Sequence, residues 1–149
     1  MVRCILIVLL LCCTAHGRLR ESYQQCMRRY GHPVHKVDAL GALATQHIKN
    51  GYRITCVFIP RDNNPVCERI IFERFERGVV LDMNDEVKQA LIGASMDGPG
   101  WIQFGDQLWA NRANTIAAEY DPTDNRLMIS SRKYETHQQE LNSRQIGDF

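Results

Sequence analysis

No apolar run in this chain is long enough to cross a bilayer: the longest unbroken one, Cys4–Cys13, falls well short of the ~20 residues a spanning helix needs. Neither sign of charge is in excess, with 18 Lys and Arg against 17 Asp and Glu, so no global field marks a nucleic-acid or membrane-surface binder. Collagen-like periods, low-complexity tracts and C-x-x-C pairs are all missing. What remains is 149 residues, 44% hydrophobic and 23% charged, the balance of one ordinary globular domain.

At the N-terminus Arg3 precedes the apolar run, and Thr14-Ala15-His16-Gly17 follows it with small residues at the −3 and −1 positions. Residues 1–17 read as a secretory signal peptide, with cleavage expected after Gly17 and, as second choice, after Ala15. Cys12 and Cys13 follow Leu11 and Cys12, not the small residue that precedes a lipidated cysteine. Removing residues 1–17 leaves 132 of the 149 residues, with equal numbers of acidic and basic side chains and no remaining candidate span. The expected location is secreted or periplasmic.

Three cysteines stay in the mature chain, Cys26, Cys56 and Cys67, an odd number for an oxidising compartment. Cys56 and Cys67 fall on neighbouring strand-like runs and make the favoured disulfide. Three buried, reduced cysteines serving as small apolar residues is an equally open reading. Their spacing is not that of a structural zinc site, and no cofactor is implied.

Apolar positions Leu19, Tyr23, Cys26, Met27 and Tyr30 recur at helical spacing, and Gly31 and Pro33 stop the helix at Tyr30. The period then changes to two. Asn50-Gly51 supplies the paired positive φ angles of a tight hairpin, so Leu43–Lys49 should pair with Tyr52–Ile59. The turn Pro60–Pro65 leads to a third strand, Val66–Phe75. A second helix is expected over 84–95, capped by Asp82 or Asn84, and Asp97-Gly98-Pro99-Gly100 closes it. Strands are then expected over 107–112, 115–120 and 126–131, the last two joined by Asp121–Asn125. The fold class is α+β: two helix-plus-three-strand units over residues 18–131, forming an antiparallel sheet with helices packed on one face. Residues 132–149 form a polar C-terminal segment, helical or frayed.

Several of these residues carry a resemblance: Arg29-Tyr30-Gly31-x-Pro33, the hairpin Lys49-Asn50-Gly51-Tyr52-Arg53-Ile54-x-Cys56-x-Phe58, the acid-started second helix, and the pair Trp101 and Trp109. In them the chain resembles a group of uncharacterised small secreted bacterial proteins. More distantly, the order of helix, Gly-x-Pro and hairpin is similar to the outer-membrane assembly lipoprotein fold and the β-lactamase-inhibitor-like fold. The resemblance implies a periplasmic or extracellular module that binds another protein through its sheet face or loops, and it carries over no catalytic residue.

The chemistry-bearing residues fit ordinary structural roles. His32 and His35 flank a Pro-Val pair after a helix stop and lack the spacing and further ligands of a zinc site. Gly93-Ala94-Ser95-Met96-Asp97 fails the nucleophile-elbow pattern at its last position. Asp82-x-Asn84-x-Glu86 reads as a helix start, since a calcium loop needs glycine where Val87 stands. Arg18, Arg20, Arg28, Arg29 and Lys36 make a local basic cluster without the interleaved aromatics of a nucleic-acid groove. Trp101, beside Gly98-Pro99-Gly100, suits a partner contact or a core position, and Arg28 and Arg29 are further candidate contacts.

The reading these residues favour is a secreted, non-enzymatic protein-binding module with no nucleic-acid partner. Its alternatives are a small secreted hydrolase using His35 and His47, or a structural component of the cell envelope.

Overall fold

The computed structural model describes residues 18–39, 42–60, 64–95 and 100–147, so the expected signal peptide, residues 1–17, and most of the turns expected at Pro60–Pro65 and Asp97–Gly100 lie outside the described residues. Among the described residues three helices and nine strands follow in the order α1 (Tyr23–Tyr30), β1 (His35–Ala39), β2 (Ala42–Lys49), β3 (Tyr52–Ile59), β4 (Val66–Glu76), β5 (Val79–Leu81), α2 (Asp85–Ala94), β6 (Trp101–Gly105), β7 (Leu108–Asn111), β8 (Ile116–Asp121), β9 (Arg126–Ser131) and α3 (Arg132–Gly147).

Helix α1 begins at Tyr23, not at Leu19 as its apolar spacing predicts. Arg20 takes a positive φ of 68°, and Ser22 then caps the helix in a reciprocal box with Gln25, satisfying backbone N–H groups that a helix start leaves open. Gly31, at φ 89°, ends it as expected. Helix α2 is capped by Asn84, whose side chain accepts from the Val87 N–H at 2.9 Å, with Asp85 and Glu86 at the positive end of its dipole.

All nine strands join one antiparallel sheet in the order β1-β2-β3-β4-β9-β8-β7-β6, with β5 pairing on β4. Each of α1 and α2 precedes a four-strand meander, β1–β4 and β6–β9, in place of the expected three strands. The meanders meet where their last strands pair, Ile70 opposite Ile129 and Phe72 opposite Leu127. The expected hairpin forms: Asn50 and Gly51 both have positive φ, and Leu43 through Lys49 pair with Phe58 through Tyr52.

Alternation then sets the two faces. Ile54, Cys56, Phe58, Ile70, Phe72, Leu127, Ile129, Ala118 and Tyr120 line one face and are buried beneath α1 and α2. Each fully buried side chain of this size contributes ~1.5–3 kcal/mol. Not every helix packs there. The C-terminal segment is α3, and its Tyr134 ring lies 4.8 Å from the guanidinium of Arg69, which points to the face opposite Ile70. The two helices expected on one face, α1 and α2, share it, and α3 lies against the other.

Candidate functional site

Strands β1 and β6 end the sheet. Unpaired edges invite association, and proteins commonly blunt them with charge. Strand β1 follows that rule with Lys36 and Asp38, whereas β6, Trp101-Ile102-Gln103-Phe104-Gly105, carries no charged residue. Among the described residues, no strand pairs with the outer side of β6.

Both faces beside this edge are open. Gln103 pairs with Trp109 and Trp101 with Asn111, so these side chains turn toward α2. Together Trp101, Gln103, Trp109, Gln89, Ile92 and Gly93 wall a cleft of about 300 Å³. On the other face Ile102 and Leu108 are each 45% exposed, and Phe104, at a register shift between Gln103 and Gly105, is 64% exposed. A row of apolar side chains thus faces solvent beside the uncharged edge.

A second cluster lies in the core under α1. Cys26 on α1, Cys56 on β3 and Cys67 on β4 are free thiols with no exposed surface, and their sulfurs all lie within 4.8 Å of one another. The strands bring Cys56 and Cys67 close because Cys56 pairs with Ile70 and, across a bulge, Phe58 pairs with Cys67. Hydrogen bonds from the Cys56 and Cys67 thiols hold the Cys26 thiol well below the usual range. The same bond to Cys26 raises Cys56, while burial raises Cys67. Beside this cluster the Tyr30 hydroxyl is buried with no hydrogen-bond partner, and burial followed by the charge of the nearby sulfurs raises its phenol.

The structure separates the histidines of the hydrolase reading. His35 pairs with Gln46, so it shares a face with that residue, whereas His47 projects to the opposite, buried face. His47 is also fully engaged. Its Nδ1 lies 2.8 Å from the Gly31 carbonyl and so carries the proton, which leaves Nε2 to accept from the Thr45 hydroxyl at 2.9 Å. Burial lowers its pKa and keeps the ring neutral.

Of the expected contacts, Arg28 is exposed, whereas Arg29 is bound to Glu21 through Nε at 2.9 Å and through a second guanidinium nitrogen. Trp101 is half-buried as a wall of the cleft, and Trp109 is buried. Cys56 and Cys67 do come together, unbonded, with Cys26 as a third buried thiol beside them. Ile102, Phe104 and Leu108 went unread. The uncharged strand pattern Trp-Ile-Gln-Phe just after a Gly-Pro breaker was the available signal. No protein-family model, curated protein or solved structure matches the chain.

Proposed function

We propose that this chain is a non-enzymatic binding module, exported by residues 1–17, that takes up an extended segment of a partner protein along β6. The observation that carries the reading is an uncharged terminal strand with a cleft on one face and exposed apolar side chains on the other. Strand addition draws on this set of features: main-chain hydrogen bonds at the edge supply affinity, and alternate side chains of the added strand reach opposite faces. One side chain of the incoming segment would enter the cleft between Trp101 and Trp109, and its neighbours would cover Ile102, Phe104 and Leu108.

Selection from a randomised peptide display library on the immobilised protein tests this reading. Recovered peptides should alternate apolar residues, and Ile102→Lys and Phe104→Lys should each weaken them at least tenfold. A substitution of this kind on an exposed strand position changes stability by only about 0.5 kcal/mol. Val37→Lys on the opposite edge should leave binding unchanged. Peptides indifferent to both β6 substitutions would reject the assignment.

A further inference from the structure

We propose that Cys26, Cys56 and Cys67 together bind one soft monovalent cation, Cu(I), in a three-coordinate thiolate site closed by α1. The donor set is all sulfur, drawn from three different elements, and every cysteine beyond residue 17 belongs to it. Thiolates select soft ions such as Cu(I). Three sulfurs at the ~2.3 Å of a metal–thiolate bond stand about 4 Å apart around a central ion. Sulfurs already within 4.8 Å need only a small inward adjustment to reach that geometry.

A structural zinc site is less suited to this cluster because it calls for four ligands. The nearest imidazole, His47, has both ring nitrogens committed to Gly31 and Thr45. A disulfide would join two of the sulfurs and leave the third without a partner. Cu(I) engages all three sulfurs. With no exposed surface on any of the three cysteines, the ion would sit away from water. Binding exchanges thiol protons for the metal and changes no oxidation state, and the protons leave to solvent.

The test is anaerobic titration of the reduced chain lacking residues 1–17 with Cu(I) in competition with bicinchoninate, followed by X-ray absorption. One ion should be held per chain, with a shell of three sulfurs. Cys26→Ala, Cys56→Ala and Cys67→Ala should each weaken binding at least 100-fold. Should these variants fail to fold, thermal unfolding of the unsubstituted reduced chain provides a separate reading: Cu(I) should raise its midpoint, and an unmoved midpoint would count against the site. Failure of the reduced chain to retain Cu(I), retention of Zn²⁺ in preference to it, or an isolated chain whose mass shows two cysteines already oxidised to a disulfide would each overturn the proposal.

Discussion

Replacing Ile129 with Ala strikes the seam where the two meanders meet. Ile129 has no exposed surface and lies between Ile70 on β4 and Ala118 on β8. The substitution removes three carbon groups, worth ~0.8 kcal/mol each by transfer, or about 2.4 kcal/mol together. A cavity penalty adds to this, because one flank is Ala118, a side chain too small to collapse into the space, so the expected loss is about 3–4 kcal/mol. Urea denaturation followed by both far-ultraviolet circular dichroism and tryptophan fluorescence measures it. Trp101 and Trp109 report on the second meander alone, whereas dichroism reports on the whole sheet. The two probes should shift together in one transition, since a single sheet and a continuous core link the halves. A loss below about 1 kcal/mol, or transitions that separate, would refute the seam as the element that joins the fold. Ile102→Ala, on the exposed edge, serves as the control and should cost well under ~1 kcal/mol.

Two further outcomes follow from buried polar groups. His47 is neutral in the fold, with a pKa held below its ordinary 6.5, so just beneath that pH the unfolded chain binds a proton that the native chain refuses. Stability is therefore fully present above about 6.5 and falls as pH drops toward the native value, by ~1.4 kcal/mol per unit of depression, and His47→Gln should flatten a denaturation profile recorded across this window. Tyr120 accepts from the buried Met83 N–H at 3.2 Å and donates to Asp82, so Tyr120→Phe should cost about 1–3 kcal/mol by stranding the Met83 amide. The same substitution should return the Asp82 carboxyl, held low chiefly by the Tyr120 hydroxyl, toward its ordinary range in an NMR titration. An unmoved Asp82 would contradict that hydrogen bond.

Where local chemistry decides structure, the sequence was readable. Asn50-Gly51 announced its hairpin, Asn84 its helix, and Asp121–Asn125 the turn between β8 and β9. Three strands escaped notice for different reasons. Strand β1 is short and its described side chains are exposed, so it lacks the alternation that marks a half-buried strand. Strand β5 follows a turn in which Arg77 and Gly78 both take positive φ, and arginine is not a residue that signals such a turn. Strand β6 lies directly after a breaker and pairs with β7 through an irregular register. The start of α1 was legible in Ser22-x-x-Gln25, but the apolar spacing from Leu19 outweighed it. For the cysteines, chain spacing was the wrong guide. Their meeting depends on where α1 lands across the sheet, which no local pattern encodes.

The most direct test of β6 as the binding edge is amide hydrogen exchange on the protein alone and saturated with a selected peptide. If a partner strand adds there, the new protection should concentrate in residues 101–105, with weaker effects at Gln89, Ile92 and Gly93 along the cleft, and with β1 unchanged. Protection confined to β1, α1 or the α3 face, with β6 exchanging as fast as in the free chain, would contradict the account.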